Sequence, residues 1–178
     1  MTIKYKLIAA LVLLLISGVS FADENEAYLG IGTGVAMASL SDSTTDTTAV
    51  LRGSGLDFLL GYQFSKNVAI ELEFIDRRVN NSDDTVNMIF SGVGISAVGF
   101  IPMNDIFSLY AKIGKSNINS TKPTFESKIG TSVGIGGQFR MSPKTKVRLS
   151  LDSYEVSALT GAYTGRVNMV GLGVLVNF

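Results

Sequence analysis

The stretch Leu56–Phe74 (LDFLLGYQFSKNVAIELEF) limits the possible folds more than any other part of the chain. In its first run Leu56, Phe58, Leu60, Tyr62 and Phe64 share one face, and Asp57, Leu59, Gly61 and Gln63 share the other. In its second run Val68, Ile70, Leu72 and Phe74 stand opposite Ala69, Glu71 and Glu73. Side chains alternate across a strand, so a period of two means β-structure. Ser65, Lys66 and Asn67 supply a tight polar turn, which makes the pair a hairpin. The uniform face is large and apolar, while the opposite face carries glycine and carboxylates. That is the pattern of a strand whose outside touches lipid and whose inside is polar.

The N-terminus points to export. Lys4 and Lys6 precede an uncharged apolar run, Leu7–Ile16, and then small residues up to Ala22. A basic start, a short apolar core and a small-residue cleavage site make a secretory signal peptide. Ser20 and Ala22 fit the −3 and −1 positions, so residues 1–22 are expected to be the leader and 23–178 one barrel domain. The apolar run is shorter than the roughly 20 residues a spanning helix needs, and no longer one follows. Barrel strands of about 9–11 residues escape that test.

The chain has 15 basic and 15 acidic residues; losing Lys4 and Lys6 leaves a formal net charge of −2. This balance gives no reason to expect a nucleic-acid partner. Cysteine and histidine are both absent. A disulfide framework, a thiolate ligand and a Ser–His or Cys–His nucleophile are therefore excluded. No catalytic residue, metal site or cofactor is expected.

Eight strands can be laid along the domain. The first is Ala27–Ala38, the second and third are the opening hairpin, and the fourth is Asn87–Ile101. Four more follow over Ile106–Lys115, Lys128–Arg140, Lys146–Tyr154 and Val167–Phe178. In the fourth, Phe90, Val98 and Phe100 share a phase that Val93 and Ile95 break, so a bulge near Gly92 or Gly94 is expected. Short connections (Ser65–Asn67, Pro102–Asp105, Met141–Thr145) alternate with longer ones (Ser39–Gly53, Val79–Val86, Ser116–Ser127, Glu155–Arg166). Phe64, Phe100, Phe107, Phe139 and Phe178 would form an aromatic girdle near the short turns, with Phe74 and Phe90 opposite. The expected fold is an all-β, eight-stranded, antiparallel up-and-down transmembrane barrel.

The segments Gly61–Phe74 and Gly136–Leu151, with a last strand ending at Phe178, resemble the small eight-stranded outer-membrane barrels of OmpA/OmpX type. The resemblance implies a place in the outer membrane of a Gram-negative bacterium. It implies that Phe178 acts as an assembly signal read by the barrel assembly machinery. It also places Glu71 and Arg148 in an interior carboxylate–arginine network. Gln138 stands where the family often has a second carboxylate, which favours a closed polar plug over a switchable gate. No counterpart of full OmpA's peptidoglycan-binding domain is expected.

The inward face carries Asp57, Glu71, Glu73, Lys112, Gln138, Arg148 and Asp152. Eight strands leave a lumen just wide enough for side chains, so these charges must pair with one another. The many inward glycines then make room for bulky neighbours. Gly30, Gly32 and Gly34 complete no nucleotide-binding motif. Glu71 and Glu73 share one face in a plugged lumen that no sugar chain could enter. Arg52, Arg78, Lys115 and Arg166 have lipid-facing parity at the loop ends, where lipopolysaccharide phosphates would sit. Loop 1, rich in Ser and Thr, and loop 2, with Asp83 and Asp84, could meet a host or surface ligand. The expected role is a structural scaffold presenting loops, with outer-membrane lipid as its surroundings. The alternatives are a narrow low-conductance pore and a soluble, exported, lipocalin-like binding barrel.

Overall fold

A computed structural model describes residues 26–42, 47–80, 87–120, 128–157 and 163–178. The expected leader and its cleavage point lie outside these residues, as do Asp83 and Asp84. The described chain is eight strands: β1 (Glu26–Asp42), β2 (Thr47–Ser65), β3 (Val68–Asn80), β4 (Asn87–Pro102), β5 (Phe107–Ser120), β6 (Lys128–Arg140), β7 (Thr145–Ser157) and β8 (Tyr163–Asn177). Each pairs antiparallel with the next, and β8 returns to β1, from Tyr28 opposite Asn177 to Asp42 opposite Tyr163. Closure gives the backbone donors and acceptors of the wall partners within the wall, which hydrocarbon demands.

The turns explain why the strands stop on one side. Asn104 Oδ1 accepts from the backbone N–H of Ile106 (2.9 Å) and Phe107 (2.7 Å). Ser142 Oγ accepts from Lys144 (3.3 Å) and Thr145 (3.0 Å). Such local bonds offer the backbone an alternative to the ladder. Asn67 at the β2–β3 turn reaches sideways and donates to the carbonyl of Phe100 at 3.0 Å.

Along the lower two-thirds of the wall the outward face is apolar. Ile31, Ile135 and Leu172 are about half exposed or more, at 49%, 58% and 56%. The inward face there carries glycine and charge, with a small buried apolar cluster that includes Ala69, Val98, Phe100 and Leu175. Nearer the loop end the two faces exchange chemistry. On β3, Val68, Ile70, Leu72 and Phe74 point out with Ala69, Glu71 and Glu73 inside; beyond them Asp76, Arg78 and Asn80 point out with Ile75 and Val79 buried. On β1, Ser39 and Ser41 take the outward positions while Ala36, Ala38 and Leu40 are buried. Those residues join Leu51, Ile75, Val79, Met88, Phe90 and others in an apolar cluster inside the loop end of the barrel. The strands therefore run past the lipid and close as a water-soluble barrel would.

Three expectations are corrected. Most strands are longer than predicted, although β6 keeps the expected Lys128–Arg140, and most of the assumed loop 1 is strand: Ser39–Asp42 belongs to β1 and Thr47–Gly53 to β2. The connection falls to residues 43–46. Strand β4 has no bulge, since its pairing with β3 and β5 is unbroken. Its phase is the reverse of that assigned: Val93 and Ile95 face out, and Phe90, Val98 and Phe100 are buried inside. Phe90 and Phe100 therefore leave the girdles, while Phe64 and Phe139 stay exposed on the wall. The register shift in the described pairings lies in β2, between Gln63 and Ser65.

Candidate functional site

The lumen gathers the inward charges into three linked groups. Glu71 is fully buried, and its Oε1 accepts from Arg148 Nη1 at 2.7 Å and from the Tyr28 hydroxyl at 2.6 Å. Arg148 Nη2 donates to Gln138 Oε1 at 3.3 Å, and the guanidinium lies 4.5 Å from the centre of the Tyr110 ring. This is cation–π distance.

Lys112 centres the second group. Its ammonium pairs with Glu73 and, at 2.9 Å, with Asp152 Oδ1. The Tyr154 hydroxyl donates to the other oxygen of Glu73 at 3.2 Å. In the third group Arg77 holds Asp57 through both guanidinium nitrogens, at 2.5 and 2.9 Å, and Nη1 also donates to the carbonyls of Leu56 and Asp76. Tyr154 links the last two groups, since Arg77 and Lys112 lie 5.5 and 5.9 Å from its ring centre.

All seven inward residues named from the sequence thus line one lumen. Arg77, Tyr28 and Tyr154 were missed, although strand parity alone places each of them inside. Arg77 was overshadowed by its outward neighbour Arg78. Register explains how so much bulk fits. Glu71 faces Gly61 across β2–β3, and a Cβ on Gly61 would come within 2.1 Å of the Tyr28 ring. Lys112 and Asp152 flank Gly134, where a Cβ would meet Asp152 Oδ1 at 2.3 Å. Burying these ions is costly, and pairing in a low dielectric repays it only when geometry is good. Amid Asp57, Glu73, Lys112, Arg148 and Asp152 a space of about 30 Å³ remains, enough for about one water. The apolar cluster closes the lumen above it.

Outside, Arg52, Arg78, Lys115 and Arg166 are all exposed, but they form two sets. Arg52 and Arg78 are diagonal neighbours on β2 and β3, because Arg78 faces Ser54 and Arg52 faces Asn80. Lys115 and Arg166 end a polar row running across β5, β6, β7 and β8. Lys115 donates to Thr131 Oγ1 at 3.2 Å, Glu155 accepts from the Thr131 N–H at 3.2 Å, and Glu155 faces Arg166. Phe178 follows β8, and its N–H donates to the Ala27 carbonyl at 3.0 Å.

A closed antiparallel barrel with an apolar wall and an ion-paired lumen defines a transmembrane β-barrel protein. Residues 8–178 match the model of the outer membrane protein beta-barrel domain. The chain belongs to that family, and its place is the outer membrane of a Gram-negative bacterium. No curated protein matches the sequence. Among solved structures it is similar to Neisserial surface protein A (NspA), with 14% identity, a TM-score of 0.69, and coverage of 85% of this chain and 97% of that one. It is also similar to Ail, the attachment invasion locus protein of Yersinia pestis, at 19% identity, TM-score 0.51 and coverage of 86% and 99%. The N-terminal β-barrel domain of Pseudomonas aeruginosa OprF gives 14%, 0.52, and 84% and 97%. The soluble lipocalin-like alternative falls, because the large apolar side chains cover the outer wall.

Proposed function

We propose that the protein is a non-conducting, non-enzymatic scaffold that holds four connections above the membrane for contact with a surface partner. The observation that carries this reading is the doubly closed lumen. Ion pairs fill its middle, an apolar cluster fills its loop end, and about 30 Å³ of space is left between the charged groups. A hydrated ion has no path of its own size. The described strands continue beyond the apolar band, so the wall itself reaches past the lipid. The lack of histidine and cysteine removes the usual activated nucleophiles. One fold neighbour, Ail, carries attachment in its name, and attachment is a role that raised connections can serve.

Two further contacts belong to this reading. The exposed rim cations Arg52, Arg78, Lys115 and Arg166 are suited to lipopolysaccharide phosphates. Phe178 is the residue offered to the assembly machinery. Planar-bilayer recording tests the closed lumen: purified, folded protein should give no current steps above the lipid control. Regular steps that change with Glu71→Ala would replace this reading with the pore. Display is tested by replacing residues 43–46 and 158–162 with Gly-Ser and measuring attachment of cells to host surfaces. Unchanged attachment, at unchanged surface abundance, would remove those connections from the reading.

A further inference from the structure

The turn end of the barrel differs from the lumen above it. Two cavities of about 160 and 190 Å³ open there and share Gln63, Lys66, Arg140 and Lys146. Every lumen cation has a carboxylate partner, with Arg77 on Asp57, Lys112 on Glu73 and Asp152, and Arg148 on Glu71. Lys146 does not. It is 7% exposed, its hydrogen bond to Gln63 Oε1 is long at 3.4 Å, and among the described residues no carboxylate pairs with it. Lys66 and Arg140, which line the same two cavities, form no ion pair either among the described residues. The carboxylates at the walls are Glu26 and Asp105, and Glu26 is held by the Asn177 amide. Three cations thus face two carboxylates. Glu26 acts on Lys146 only from beyond ion-pair distance, and Arg140 and Arg148 oppose it; a buried ammonium so weakly compensated is costly, and an incoming oxyanion would repay that cost.

We infer that this mouth is a binding site for one oxyanion group, a carboxylate or a phosphate, entering from the periplasm along the barrel axis onto Lys146, Lys66 and Arg140. Short turns mark the periplasmic end of an outer-membrane barrel, so the site faces the periplasm. Its volume suits a phosphate or a single carboxylate-bearing residue. A lipid headgroup is the wrong occupant, because Gln63, Gln138 and Lys146 point to the axis while lipid lies against the outer wall. The site is separate from the loops, so it stands or falls independently of the scaffold reading.

The test is a titration of ¹⁵N-labelled, folded protein in detergent micelles at constant ionic strength. One arm uses inorganic phosphate, a second a tripeptide with a free C-terminus, a third the same tripeptide amidated, and chloride is the control. The expected result is saturable amide shifts at Gln63, Lys66, Arg140 and Lys146, with a dissociation constant on the order of millimolar. Lys146→Gln should weaken binding about tenfold, the effect of losing one charge-assisted bond. Heat-modifiable gel mobility shows that the variant is folded. Saturation by phosphate alone assigns a free phosphate; saturation by the free peptide and not its amide assigns a chain-borne carboxylate. Shifts that chloride reproduces, that do not saturate, or that survive Lys146→Gln would overturn the site.

Discussion

The band of the barrel inside the lipid and the part that rises above it use one backbone and opposite chemistries. On β3 the alternation never slips, yet Glu71 and Glu73 are buried below, while Asp76 and Arg78 look out above. Alternation belongs to the pleat. Which face is greasy belongs to the surroundings: hydrocarbon selects apolar side chains outside, and water selects them inside. The lower interior therefore rests mainly on charge pairing, beside a small apolar cluster around Phe100, and the upper interior mainly on burial of apolar area around the Arg77–Asp57 pair, and each can be attacked separately. The largest effect is expected where a buried ion loses its partner. Glu71→Ala leaves Arg148 and the Tyr28 hydroxyl without their shared acceptor and should cost about 3–5 kcal/mol. Urea unfolding in micelles measures it. The double variant Glu71→Leu with Arg148→Met should recover most of the loss, because an apolar fill of similar volume replaces the pair. If the double variant is as unstable as the single, the lower interior requires charge in itself.

In the upper interior the equivalent blow is a cavity. Phe90 is 1% exposed within the apolar cluster, and Phe90→Ala should cost about 3 kcal/mol. Its signature is local: hydrogen exchange at the loop-end amides of β3, β4 and β5 should rise, while the Glu71–Arg148 level stays protected. Uniform loss of protection would mean that the two zones unfold as one.

Phe90 also shows where the sequence was hard to read. The fold was legible because seven strands repeat one parity within the lipid band, and the inward charges followed from that parity. In β4 the lumen side holds Phe90, Val98 and Phe100, and the lipid side holds Val93 and Ile95. Both faces are apolar, so alternation names no inside, and the two phenylalanines weight the pattern toward the lipid side. Pairing could have settled it, since Glu71 faces Ser96 and Arg77 faces Phe90. The loop-end strands read as loops for the same reason. Ser39–Leu40–Ser41 is apolar inside and polar outside, the ordinary soluble pattern, and it breaks a search for the inverted one. Lys146 and its neighbours were passed over because they sit at strand ends.

A matched pair of lysines sharpens the contrast on the outer wall. Ile135 is 58% exposed, near the middle of the apolar band of β6, and Ile135→Lys should cost about 2–4 kcal/mol. Ser91 is also outward and exposed, but it lies above the band, opposite Asp76. Ser91→Lys should change stability by no more than about 0.5 kcal/mol. Equal costs would move the lipid boundary on β4 above Ser91.

The smallest effect is expected at that boundary itself. Arg52, Arg78, Lys115 and Arg166 are exposed, and the hydrogen bonds of Lys115 and Arg166 are long, at 3.2 and 3.5 Å. Exposed polar contacts of this kind contribute little, so replacing all four with serine should shift the unfolding midpoint by less than about 1 kcal/mol. Their spacing on the wall predicts an uneven loss of lipopolysaccharide affinity. Arg52 and Arg78 are diagonal neighbours and can share one phosphate. Lys115 and Arg166 are separated by β6 and β7, and Arg166 faces Glu155, which offsets its charge. The double variant Arg52→Ser with Arg78→Ser should therefore weaken binding more than Lys115→Ser with Arg166→Ser, read by titration of nanodisc-embedded protein with lipopolysaccharide. Equal losses would mean that the phosphates follow the rim as a whole, and no loss in either pair would leave the four cations as water-facing charge at the lipid edge.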